Sequence, residues 1–235
     1  MQGKSLFKSN QFNGFGEGSD FARAISTKKS FIETLKEYPR SMIEIVDKAI
    51  DSNNLDPLNT IINQLKKFTD EDLDYIFTEI PPILANLAFA ASNNIPYGLN
   101  YISGKLRGFH LKSLMCIFKE YPNTLGLIAE ASIDADLDAI NAISGQLKDF
   151  TKEDLWSIFE KSPGTLTAIA IAADKGYPKA LNAISAKLQD FSEEELLGVF
   201  KIYTNAPELI AKAACNGYPK ALNAISSKLQ DFSKE

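Results

Sequence analysis

Few side chains in this 235-residue sequence are equipped for chemistry. It holds one histidine, His110, and two cysteines, Cys116 and Cys215. One imidazole and two scattered thiols cannot assemble the ligand set that a zinc ion usually takes, so no metal or other cofactor is expected. Cys116 sits in the apolar run Leu114-Met115-Cys116-Ile117-Phe118, and both thiols read as reduced and packed. There is no phosphate-binding glycine loop, no Gly-x-Ser-x-Gly and no His-Glu-x-x-His. Acid pairs such as Glu194/Glu195 fall at helix starts, where carboxylates complement the helix dipole. His110 stands in a column held elsewhere by Thr or Ser, which makes it a poor helix cap rather than a general base. The expectation is a protein that is not an enzyme and that acts by presenting surface.

Binding chemistry is what remains. Lys66, Lys67, Lys105, Arg107, His110 and Lys112 gather in two short stretches that suit a phosphoinositide head group or an acidic partner segment. A solvated edge is the plainer reading of the same residues. Net charge is −5, with the acidic excess in the second half of the chain, which argues against a general nucleic-acid binder. Hydrophobic residues make up 45% of the chain, enough for a substantial core. The longest apolar runs, such as 83–91, are too short to cross a membrane, and the start of the sequence has no basic-then-apolar signal.

Self-similarity reveals the elements that must position these groups. Pro178-Lys179-Ala180-Leu181-Asn182-Ala183-Ile184-Ser185 returns as Pro219-Lys220-Ala221-Leu222-Asn223-Ala224-Ile225-Ser226, a shift of 41 residues. The same shift aligns Phe68, Phe109, Phe150 and Phe191, and it aligns Leu65, Leu106 and Leu147. Five units follow: 27–68, 69–109, 110–150, 151–191 and 192–232. Residues 1–18, rich in Gly, Asn and Ser, read as a flexible leader, and 19–26 as an N-terminal cap. Each unit predicts three helices. The first opens with an N-cap and an acid three residues on, as in Thr69/Asp72, Thr151/Asp154 and Ser192/Glu195. A proline break leads to a short apolar helix, ended by Gly176 or Gly217 in two units. The third helix starts at Pro96, Pro178 or Pro219. One unit cannot bury its own apolar faces, so neighbours must stack around a shared core.

One polar column runs through every unit: Asn59, Asn100, Asn141, Asn182 and Asn223. Its presence in all five favours a structural ladder that satisfies neighbouring backbone, although the same amides suit the peptide groups of a ligand.

A three-helix unit of this length resembles the armadillo repeat, with HEAT-type repeats a close alternative. Gly217-Tyr218-Pro219-Lys220-Ala221-Leu222 and Gly176-Tyr177-Pro178-Lys179-Ala180-Leu181 are similar to that family's turn between its first and second helices, and Asn94-Ile95-Pro96-Tyr97-Gly98-Leu99 is a weaker copy. The fold this implies is all-α, a right-handed α-solenoid of about five 41-residue three-helix armadillo-like repeats over residues 27–235. The resemblance also implies that helices 70–80, 111–121, 152–162 and 193–203 line a concave groove. Met115, Lys119, Trp156, Glu160, Leu197 and Lys201 are then its candidate contact residues, with Trp156 foremost; a wide apolar stripe between stacked units is the competing reading.

The function expected is a non-catalytic interaction scaffold that binds another protein through that groove. The alternative is a membrane-surface module that recognises anionic phosphoinositide lipid through the basic edge. Divergent helical repeats rich in Lys, Ile and Asn also resemble effectors of intracellular bacterial pathogens, which implies action in a cytoplasm, including that of a host. Unit five copies unit four across 217–232, and the sequence beyond reads as the first turn of a sixth unit. An uncapped apolar flank at unit five is therefore expected.

Overall fold

The computed structural model describes residues 30–33, 41–52 and 55–229. The proposed leader, the N-terminal cap and the sixth-unit start at 233–235 lie outside them. Helices occupy most of the described residues, and no strand occurs among them. The architecture is all-α and repeat-like.

Three kinds of helix alternate along the chain. The first kind comprises α3 (Asp70–Glu79), α6 (Leu111–Glu120), α10 (Lys152–Lys161) and α13 (Glu193–Ile202). Three of the four open with the expected capping box, in which Thr69, Thr151 or Ser192 accepts from the N–H three residues on and the acid there accepts in return. At His110 no side-chain cap forms, and Asp74 from the preceding unit accepts the orphan His110 N–H at 3.1 Å instead.

The second kind comprises α1 (Ser41–Ser52), α4 (Pro82–Ser92), α7 (Thr124–Asp134), α11 (Gly164–Asp174) and α14 (Ala206–Cys215). Each packs on its counterpart one unit on. Small residues face each other between these helices and allow close approach. A Cβ added at Gly126 of α7 would lie 3.3 Å from the Cα of Thr165 in α11. In α11 eight of eleven residues are buried. The turns that follow need a left-handed residue. Gly176 and Gly217 supply it at φ +104° and +95°, and Asn94 at +64°. In unit three the sequence alignment points to Ala135, but the turn falls on Asp136 at φ +53°. Alanine pays the full Cβ penalty there and aspartate tolerates it, so α7 ends one residue later.

The third kind comprises α2 (Asp56–Leu65), α5 (Tyr97–Ser103), the pair α8 (Ala139–Ala142) and α9 (Ser144–Leu147), α12 (Lys179–Leu188) and α15 (Lys220–Leu229). Units four and five carry Ala186 and Ser227 where units two and three carry Gly104 and Gly145. The glycine units have the interrupted helix, breaking after Ser103 and at Ile143, as glycine's backbone entropy favours.

One continuous core runs from Phe31 to Ile225. The phenylalanine column closes each unit, its ring against a first-helix ring: Phe77 to Phe109 at 5.6 Å, Phe118 to Phe150 at 6.2 Å and Phe159 to Phe191 at 6.0 Å. No helix among the described residues is long and apolar enough to cross a membrane.

Candidate functional site

The proposed groove residues divide by depth. Lys119, Glu160 and Lys201 are exposed, Met115 and Trp156 are half-buried against the core, and Leu197 is half-buried. Trp156 meets Phe191 edge-on at 6.0 Å, and its ring tip lies 4.0 Å from where a side chain on Gly198 would begin. The indole therefore wedges between α10 and α13. Lys119 reaches the next first helix and pairs with Asp154 at 2.6 Å, and Lys152 repeats the link to Glu195 at 2.8 Å. Burial works against ionisation of Asp154, but the Lys119 ammonium and the Thr151 cap outweigh it and hold the carboxyl below its ordinary range.

Both cysteines are free and exposed, contrary to the packed reading. The buried stripe of α6 is Leu114, Ile117 and Phe118, and Cys116 falls on the opposite face. No cluster of three or more His, Cys, Asp or Glu placed to hold a metal ion occurs among the described residues.

The basic cluster is partly neutralised from within. Lys105 pairs with Asp70, Arg107 lies 3.5 Å from Asp138, and His110 Nε2 lies 4.0 Å from Asp74. Lys66, Lys67 and Lys112 are exposed with no carboxylate partner among the described residues. Lys66 and Lys105 stand over the Tyr101 ring, at 6.0 and 5.5 Å from its centre.

The asparagine column is not used uniformly. Asn141 is buried, donates to Asp138 at 2.9 Å and accepts the Lys179 N–H that opens α12 at 3.0 Å. Asn182 is half-buried with its Oδ1 unpartnered, and Asn59, Asn100 and Asn223 are exposed.

A second polar column escaped the sequence reading: Gln64, Lys105, Gln146, Lys187 and Lys228. Gln146 donates to the carbonyls of Arg107 at 2.9 Å and Phe109 at 3.0 Å, closing the 3₁₀ turn (Leu106–Gly108) of unit two. Lys228 does the same for the Gln189 and Phe191 carbonyls of unit four. Long donors recurring every 41 residues were the available signal, because helix ends leave carbonyls that need them.

Beside Gln146 lies an open depression of about 440 Å³ that spans three units. Arg107 borders it from unit two, Asn141, Ala142, Ser144, Gly145, Gln146 and Asp149 from unit three, and Lys179 from unit four. Arg107 and Asn141 thus come together with Lys179 and Asp149, neither of which was a candidate site residue. No family model, curated protein or solved structure matches the chain.

Proposed function

We propose that this chain is a right-handed α-solenoid of armadillo-like repeats that serves as a non-catalytic interaction scaffold for another protein. The observation that carries the proposal is the depression shared by three successive units, a concave polar site assembled only when helices of one kind align side by side. Support comes also from the links between units, in which Gln146, Lys119 and Asn141 each tie one unit to the next. The likeness in composition to effectors of intracellular bacteria belongs to the same proposal, with a host cytoplasm as the place of action.

The lipid alternative draws on Lys66, Lys67 and Lys112, which face solvent without carboxylate partners among the described residues. The carboxylates beside Lys105, Arg107 and His110 weaken the positive potential of that edge and favour the protein reading. Photo-crosslinking tests the scaffold directly. A benzophenone amino acid at Ala183, on the third-helix row, or at Glu160, on the first, should give an adduct with one defined protein that untagged chain competes away. Failure to form a competed adduct at either position would refute the scaffold. Vesicle flotation that is abolished when Lys66, Lys67 and Arg107 become Glu would favour the lipid alternative.

A further inference from the structure

Charge in this molecule is segregated by helix row. The third-helix segments 55–68, 96–109, 137–150, 178–191 and 219–229 carry nine Lys or Arg against four Asp or Glu, in a chain whose net charge is −5. The excess is mostly unspent, since Lys66, Lys67, Lys148, Lys179, Lys187 and Lys220 have no ion-pair partner among the described residues. Tyr97 and Tyr101 of α5 and Lys105, two residues beyond its end, recur at four-residue spacing; Tyr97 is 59% exposed and the other two are half-buried. One unit on, Ala142 replaces Tyr101, and the lost ring leaves the depression between Arg107 and Lys179.

We infer that this row binds an extended acidic peptide segment of a partner protein, seating a carboxylate between Arg107 and Lys179. The inference rests on the scaffold reading and names its partner chemistry and its face. Two cations from different units flank one depression, which suits a carboxylate better than either alone. Gln146 lines the same depression, and its Oε1 is buried without a hydrogen-bond partner. It calls for a donor, and a peptide backbone brings an N–H where a phosphate has none. Asp149, also in the lining, and Asp138 beside Arg107 repel a continuous array of phosphates such as nucleic acid or an anionic bilayer. A peptide avoids them by spacing its carboxylates.

A fluorescein-labelled poly-glutamate in which glycine alternates with each glutamate is the probe, read by anisotropy at low and physiological salt. The full chain should bind it with an affinity that falls as salt rises, and more tightly than a single-stranded oligodeoxynucleotide or phosphatidylserine vesicles. R107E/K179E should weaken poly-glutamate binding by about tenfold or more, and R107Q/K179Q by less. K161E, on the exposed face of α10, should change it by no more than about twofold. Both target residues are exposed, and an unchanged thermal melt verifies the fold. Equal affinity of wild type and R107E/K179E overturns the inference, as does tighter binding to the oligonucleotide or the vesicles. If poly-glutamate fails while the competed crosslink persists, the acidic-peptide inference falls and the scaffold stands; if both fail, both fall.

Discussion

The Lys119–Asp154 pair shows how a residue near the surface becomes part of the link between units. Asp154 is buried, caps its own helix through Thr151, and takes an ammonium from the preceding first helix. Its carboxyl is held below the ordinary range, so its contribution to stability is present above the unfolded carboxylate range and is lost as pH falls from there through the depressed folded range. Lys119→Met should cost about 1 kcal/mol at neutral pH, allowing for the half exposure of Lys119. Once the pH lies below the depressed folded range of Asp154, the variant and the wild type should unfold at nearly the same urea concentration, because the carboxyl is then protonated in both. A gap that persists unchanged at that pH would mean that Lys119 acts through its packing rather than its charge.

At the scale of elements, glycine marks two different situations. Gly145 has right-handed backbone and open space around the missing Cβ, and it stands where unit four has Ala186 and an unbroken helix. Gly145→Ala should join α8 to α9 and stabilise the chain by about 0.5–1 kcal/mol, with a gain in helical circular dichroism. Gly176 also has space, but its φ of +104° lies where alanine is strained, and Gly176→Ala should destabilise by about 1 kcal/mol or more. Matching effects of the two substitutions on the thermal midpoint would contradict the conformational account. The interruption of α8/α9 also bears on the site, since Ser144 and Gly145 at the break line the depression.

For the whole molecule, the second-helix row decides what each flank of the array offers. Ala85, Gly126 and Thr167 occupy the position that faces the following unit, and all three are buried. The corresponding residue in α14 is Glu208, exposed and paired with Lys212 at 2.8 Å. At this position of unit five the flank is therefore charged, while Ile202 and Tyr203 of the same unit are exposed apolar side chains. Deleting residues 192–235 should leave a folded 1–191 that is less stable and that self-associates, because the face of α11 that α14 covers is then open to water. Replacing both Glu208 and Lys212 with Leu should induce association of the full chain without any truncation. Monomeric behaviour of both variants in sedimentation velocity would show that the charged flank has no such role.

The amino-acid sequence by itself determined the local elements: the 41-residue recurrence, the capping boxes at Thr69, Thr151 and Ser192, the left-handed glycines at 176 and 217, and the buried phenylalanine column. The caps and turns follow from contacts within one helix or turn, whose spacing is written in the chain, and the recurrence marks the phenylalanines as equivalent. Only the tertiary structure decided that Trp156 is wedged between α10 and α13 while Cys116 faces solvent, that the third unit turns at Asp136, and that Arg107 meets Lys179 across one depression. A period states which residues are equivalent, but not how far each helix is rotated about its axis or how closely it approaches the next. Those quantities are set by packing, through the glycine and alanine contacts of the second-helix row and the rings that hold the first-helix row apart.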